Sequence, residues 1–193
     1  MTFEVFLVFL YSYISGSIPV GFILTKILLG RDIRKFGSQN IGATNVLRTG
    51  NKFVAALTLL FDITKSVIPI IITNYYFPNL IYLSGLMAFL GHIFPVWLKF
   101  KGGKGIATYL GIVFALSLNL GLFFCLSWIL IALITKYSSL SSVVSALIVF
   151  LISFLENNFE LNLFLFITFV IILYTHKQNI VRLKNKTEDK IKL

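Results

Sequence analysis

Phe154-Leu155-Glu156-Asn157-Asn158-Phe159-Glu160-Leu161 interrupts an apolar run that extends from residue 142 to residue 174. Read as one helix, the run would hold two carboxylates and two amides near the middle of a bilayer with no cation to neutralise them, and ionisable groups are costly at that depth. Read as two helices joined by a polar turn, it leaves the same groups at a membrane surface. The run over 106–134 poses the same choice, with Asn119 and Gly121 as its interruption. Splitting both gives seven spans and splitting neither gives five. Splitting only one gives six, which exports either the first basic loop or the basic tail. The carboxylates decide for seven. Several helices then have only ~14 residues, roughly 21 Å, and need local thinning or shielding by neighbours to match a ~30 Å hydrocarbon core.

Composition agrees with a membrane protein. Of 193 residues 58% are hydrophobic and 12% charged, with a mean hydropathy of +0.92, far more apolar than a soluble domain. The expected fold is an all-α integral membrane protein of seven transmembrane helices, a single domain over 1–193, because the joining segments are too short to hold a second. The first apolar run is preceded by Glu4 and followed by Lys26, Arg31, Arg34 and Lys35, the reverse of a signal peptide. It therefore reads as a retained span with the N-terminus outside and the C-terminus cytoplasmic. The lone Cys125 in an apolar run provides no disulfide framework and no thiolate metal site. A net charge of +10 would suggest nucleic acid in a soluble protein, but no basic-aromatic surface accompanies it, so the positive-inside rule is its first explanation.

Outward from the deciding turns, the other spans are Phe3 to about Leu29, Phe53 to Thr73 and Leu80 to Leu98. The first, about 40 Å as one helix, is too long to cross unbroken. Ser15-Gly16-Ser17-Ile18-Pro19 breaks it, since proline removes a helix hydrogen bond and nearby hydroxyls can satisfy the freed backbone. The second carries Asp62 and Lys65 on one face at i, i+3, where opposite charges offset a burial cost of about 2.5–3.5 kcal/mol each. With seven spans, Lys26, Arg31, Arg34, Lys35, Arg48 and Lys52, then Lys99, Lys101 and Lys104, then Lys136, then Lys177, Arg182, Lys184, Lys186, Lys190 and Lys192 all fall inside. Lys65 is within a span, and no cation falls outside.

Every polar motif then shares the inner face. Gly37-Ser38-Gln39-Asn40-Ile41-Gly42-Ala43-Thr44-Asn45-Val46-Leu47-Arg48 combines glycines, amides, hydroxyls and nearby positive charge, a chemistry suited to phosphate, although alone it is equally a solvated topology loop. Gly102-Gly103-Lys104-Gly105 feeds a helix N-terminus, where unpaired N–H groups and the helix dipole favour an anion and Lys104 is the natural counter-ion. The serines of Tyr137-Ser138-Ser139-Leu140-Ser141-Ser142 are expected to cap the sixth helix. If the seventh helix continues into the tail, His176 and Asn179 share a face, roughly with Arg182.

Several chemistries fail. Ala43-Thr44 stands where a P-loop needs Lys-Ser/Thr. The histidine–aspartate dyad of soluble-type acyltransferases is absent, because Trp97 and Val181 stand where the aspartate would follow His92 and His176. No His-carboxylate cluster marks a metal site, and no motif marks an activated serine. An organic-phosphate transporter is the competing reading, since Asp62, Lys65 and the broken first helix would suit a translocation path, and a scaffold with neither activity is a third. What fits best is an interfacial site where a phosphorylated water-soluble molecule meets an acyl chain.

Ser17-Ile18-Pro19, the 37–48 loop, Asp62-Ile63-Thr64-Lys65, Gly91-His92-Ile93-Phe94-Pro95 through Gly105, and His176 through Arg182 with Glu188 resemble the motif set of the bacterial membrane glycerol-3-phosphate acyltransferases, the PlsY family. The resemblance implies a seven-helix enzyme of the bacterial cytoplasmic (inner) membrane with its active site on the cytoplasmic face. It would transfer a fatty acyl group from acyl phosphate, not acyl-CoA or acyl carrier protein, to the 1-hydroxyl of glycerol 3-phosphate. The products would be lysophosphatidic acid and phosphate, for phospholipid synthesis, without cofactor, metal or nucleic acid. Transient contact with the enzyme that makes the acyl phosphate would follow. Ser38, Asn40 and Arg48 are expected on phosphate with Gly42, Asn45, Gly102 and Gly103, and Lys104 on the transferring or leaving group. By resemblance, His176 and Asn179 bind glycerol phosphate and orient its hydroxyl, and Ser142, Arg182 and Glu188 complete the set. The sequence departs from the common pattern at Gln39 and Ser66, both usually glycine.

Overall fold

The computed structural model describes residues 2–191, so the tail cation Lys192 lies outside the described residues, as do Met1 and Leu193. Among the described residues every regular element is helical. The chain divides into two compact units, Met1–Ala115 and Leu116–Leu193.

In the first unit, α1 (Phe3–Ser17) stops before Ile18-Pro19 and α2 (Val20–Leu29) resumes beyond it, where proline cannot donate to the helix ladder. A short α3 (Ala43–Leu47) closes the first loop, followed by α4 (Lys52–Tyr76), α5 (Ile81–Ile93) and α6 (Ile106–Leu116). α1 lies along α5, and both pack on α4. At Gly16 a Cβ would sit 2.0 Å from the Ala88 carbonyl oxygen, so only glycine lets α1 and α5 approach this closely, the small-residue packing used where lipid gives no hydrophobic drive. Polar side chains meet across the helix contacts, Ser12 with Ser84 at 2.9 Å and Tyr11 with Thr73. Ser66, where glycine is usual, is accommodated by donating to the Ile63 and Thr108 carbonyls at 2.8 and 3.0 Å, with Gly111 of α6 leaving it room.

In the second unit, α7 (Leu118–Thr135) and α8 (Ser138–Ile152) form a hairpin about Lys136, whose φ of 62° makes the turn, and α9 (Phe159–Thr175) packs on α8. Both long apolar runs are broken, but not quite where their polar residues suggested. The first break falls at Ser117, which is extended and caps α7 through the Leu120 N–H, while Asn119 and Gly121 lie inside the first turns of that helix. The second runs through a 3₁₀ turn at Ser153–Glu156 and a left-handed Asn157, and Asn158 caps α9 by accepting from the Leu161 N–H at 3.0 Å. Ser117 donates to Glu156 at 3.1 Å, so the two breaks meet at one end of the unit.

Among the described residues, five helical stretches are long and apolar enough to cross a membrane: Phe3–Leu29, Lys52–Tyr76, Pro78–Leu98, Leu118–Thr135 and Ser138–Glu156. Phe159–Thr175 and α10 (Lys177–Lys184), bent from each other by 60°, pass as a sixth only when taken together as one broken span. Ile106–Leu116 is apolar but only 11 residues long, about 16 Å, and is the short member of the set. Two local expectations are corrected. The last helix does not run straight into the tail, because it bends at His176. The serines of the α7–α8 turn do not cap α8 either: its N-cap is Tyr137, which makes no side-chain cap, and Ser141 and Ser142 bond back to the carbonyls of Tyr137 and Ser138.

Candidate active site

The 37–48 loop is organised from inside by Asn45, which is 2% exposed. Its Oδ1 accepts from the Ser38 N–H at 2.9 Å, and its Nδ2 donates towards the carbonyls of Ile33, Phe36 and Asn40 at 3.2, 2.9 and 2.8 Å. Asn40 Oδ1 accepts from the Gly42 N–H at 2.8 Å. The backbone amides of Ser38 and Gly42 are therefore used within the loop, and Asn45 shapes it and does not face outward to bind. What the loop presents is the exposed Ser38 and the half-buried Asn40 and Arg48. Gln39 has φ 59°, the left-handed conformation that makes glycine usual there. Asp32 holds Arg34 in a fork, with Nε to Oδ1 at 2.9 Å and the terminal nitrogen to Oδ2 at 2.7 Å. The Arg34 hydrogen bond draws the Asp32 carboxyl down to about 2, and Arg34 itself is shifted upward. This pairing, unanticipated although Asp-x-Arg is plain in the sequence, neutralises one of the charges assigned to the loop.

Ile41 and Val46 of the loop share a small core with Leu98, which leads into the Gly102–Gly105 turn, so loop and turn are built on the same apolar base. The glycines of that turn have a different task from the one expected. Gly102 and Gly103 donate their N–H groups to the Ile93 and His92 carbonyls, both at 3.0 Å, which removes those donors from any anion. A Cβ on Gly103 would lie 2.0 Å from His92 Nε2, and one on Gly102 would lie 2.1 Å from the His92 carbonyl oxygen. The glycines let the turn lie directly on His92, and Lys104, half-buried, follows at once.

In the second unit Glu188 gathers the tail. One carboxylate oxygen accepts from Ser139 Oγ at 2.7 Å and Asn179 Nδ2 at 2.6 Å, the other from Arg182 Nε at 2.7 Å. Burial opposes the charge on Glu188, but these three hydrogen bonds and the Arg182 charge outweigh it and hold the carboxyl below its usual range. Ser142 donates to the Ser138 carbonyl at 2.8 Å and accepts from Trp128 Nε1 at 3.0 Å. His176 sits at the bend between α9 and α10, 2% exposed, with Nδ1 at 2.9 Å from the Ile172 carbonyl. A carbonyl can only accept, so Nδ1 carries a proton, and in the neutral ring Nε2 is then the basic nitrogen. Spacing put Asn179 and Arg182 roughly on one face; the structure sets Glu188 between them and shows Ser139 as the serine that reaches it.

A family model described as glycerol-3-phosphate acyltransferase matches residues 6–186. The chain belongs to this family. The glycerol-3-phosphate acyltransferase of Pelagibacter ubique is 55% identical over 190 residues, 98% of this chain and 99% of the relative. That of Mesorhizobium japonicum is 44% identical over 191 residues, 99% and 98% of the two chains. Solved crystal structures of PlsY, described as an integral membrane glycerol 3-phosphate acyltransferase, match with TM-scores of 0.93 in the glycerol 3-phosphate form and 0.91 in the lysophosphatidic acid form, at 36% and 35% identity over 97% of this chain. They cover 96% and 95% of those chains.

Proposed function

We propose that this protein transfers a fatty acyl group from acyl phosphate to the 1-hydroxyl of glycerol 3-phosphate, releasing lysophosphatidic acid and inorganic phosphate. The observation that carries the reading is the match, over nearly the whole chain, to PlsY in forms named for glycerol 3-phosphate and lysophosphatidic acid, the acceptor and the product of one acyl transfer. Acyl phosphate as donor rests on the motif resemblance and on chemistry. It is a mixed anhydride with a good leaving group, so the protein has to bind phosphate, exclude water and align hydroxyl with carbonyl without an activated serine.

In this proposal the glycerol 3-phosphate oxygen bonds to the acyl carbonyl carbon, and the bond from that carbon to the phosphate oxygen breaks. Ser38, Asn40 and Arg48 hold phosphate, and Lys104 stabilises the transferring or leaving group. Gly42, Asn45, Gly102 and Gly103 shape the backbone from which they act. His176 and Asn179 orient the hydroxyl, whose proton passes to His176 Nε2 or to the departing phosphate, and Ser142, Arg182 and Glu188 support the tail. We assign all of 1–193 to one catalytic domain with seven spans in the bacterial cytoplasmic membrane, the chemistry facing the cytoplasm, where contact with the acyl-phosphate-producing enzyme delivers the donor.

The transporter reading draws on Asp62 and Lys65, and it is weakened by the partners those two charges have inside the first unit. Lys65 Nζ lies 2.8 Å from Asp62 and 2.7 Å from the Ile18 carbonyl. Sealed vesicles with labelled glycerol 3-phosphate and acyl phosphate separate the readings. Labelled lysophosphatidic acid in the bilayer supports acyl transfer, and labelled glycerol phosphate trapped in the lumen with no lipid product rejects it.

A further inference from the structure

The break in the first span leaves the Ile18 carbonyl outside the helix ladder, where it accepts from the Val20 N–H at 3.0 Å and from the Lys65 ammonium of α4 at 2.7 Å, not from a neighbouring hydroxyl. The same ammonium lies 2.8 Å from Asp62 Oδ1, with both side chains almost fully buried. That carboxylate oxygen also faces His92 Nδ1, buried and 3.6 Å away, an electrostatic neighbour just beyond hydrogen-bond reach. Ser15, at the break, donates to the Lys65 carbonyl at 2.6 Å, and Trp97 Nε1 donates to Ser17 at 2.9 Å. One polar cluster thus joins three segments: the broken span, the middle of α4 and the end of α5. A buried charge pair of this kind is a weak source of stability relative to apolar packing, which leaves its geometry as the property to explain.

That geometry leads to Lys104. His92 lies under the Gly102–Gly103 turn, its carbonyl accepting from the Gly103 N–H at 3.0 Å and its ring so near Gly103 that no side chain fits between them. Moving the imidazole moves the backbone that enters Lys104. We propose that Asp62, Lys65 and His92 are positioning residues for acyl transfer, a buried clamp that sets the Gly102–Gly103 turn and through it the place of Lys104. The inference rests on the role assigned to Lys104 above. It also gives Asp62 and Lys65 a task that needs no translocation path.

A double-mutant cycle on the purified full-length protein tests it, with acyl phosphate and glycerol 3-phosphate as substrates. Asp62→Asn and His92→Gln each lower kcat about tenfold or more, the scale of loss caused by slight misplacement of a catalytic group, while KM for acyl phosphate changes less. Placed on top of Lys104→Gln, each adds less than about twofold, because the group they position is already gone. Full multiplicative losses in the Lys104→Gln background, or an unchanged kcat for either well-folded variant, overturn the clamp. Should Asp62→Asn fail to insert, His92→Gln, which removes no charge partner of Lys65, decides alone. Wild-type protein with no turnover from acyl phosphate would sink the proposed function and the clamp together. Wild-type turnover with multiplicative losses sinks the clamp only.

Discussion

Asn45 carries donors and an acceptor in one plane, and the loop around it uses both kinds. Three carbonyls point at its amide nitrogen and one backbone N–H at its oxygen. Asn45→Asp keeps the shape but sets a carboxylate against those three carbonyls, so it is expected to destabilise the loop by about 3 kcal/mol, the scale of buried groups left unsatisfied. Thermal unfolding and limited proteolysis between Arg34 and Arg48 measure this, and a variant as stable as wild type with only a KM defect would return Asn45 to direct phosphate contact. Arg48→Ala and Lys104→Ala have the opposite profile. Each lowers turnover by about 10²–10³-fold, as for loss of a charge-stabilising donor, with membrane insertion and unfolding temperature retained. The sequence made the loop legible as a phosphate-friendly segment because its residue types are rare in lipid. Which residues face inward was not legible, since asparagine suits either role and only the positions of distant carbonyls such as that of Ile33 decide. Gln39, noted in the sequence as a departure from the resembled pattern, turns out to hold a positive φ of 59°.

Among the elements, the tail turns on one carboxylate. The folded pKa of Glu188 is depressed, so its contribution to docking the tail is fully present above the ordinary carboxylate range near 4.5 and is lost as pH falls through the folded value. Protease sensitivity of the segment after Lys184 should therefore stay constant from pH 7 to about 5 and rise only at lower pH. Glu188→Gln should make it sensitive already at pH 7, and equal resistance of wild type and variant would show that the three hydrogen bonds do not hold the tail. Sequence spacing revealed Asn179 and Arg182 as a pair on one helical face, which period alone can do. It could not reveal Ser139, which comes from a different helix 49 residues from Glu188. The break at Ser17-Ile18-Pro19 was legible from proline itself, whereas the side chain that bonds its Ile18 carbonyl, Lys65, lies 47 residues away and depends on how α1 and α4 pack.

At the scale of the whole molecule, the choice between five and seven spans began with carboxylates that a bilayer would not tolerate. Both long runs do break, and Ser117 touches Glu156 at the joined ends of those breaks. The proposed seven-span topology places that pair and the Tyr75–Phe77 turn outside, with Ser38, Lys136 and Lys184 inside. Single cysteines at these positions, in a chain with Cys125 replaced by serine, should react with a membrane-impermeant maleimide from opposite sides of intact cells. Labelling of positions 117 and 38 from the same side would contradict the topology. The short helix Ile106–Leu116 explains why length alone left the count open: at 11 residues it falls below what composition and reach identify as a span.

The central claim is the donor and acceptor of the acyl transfer, and a donor swap on the purified protein tests it most directly. With glycerol 3-phosphate as acceptor and no nucleotide or added metal, acyl phosphate should yield lysophosphatidic acid and one equivalent of phosphate, while acyl-CoA and acyl carrier protein yield none. Product from acyl-CoA alone, or no product from any donor, would contradict the account.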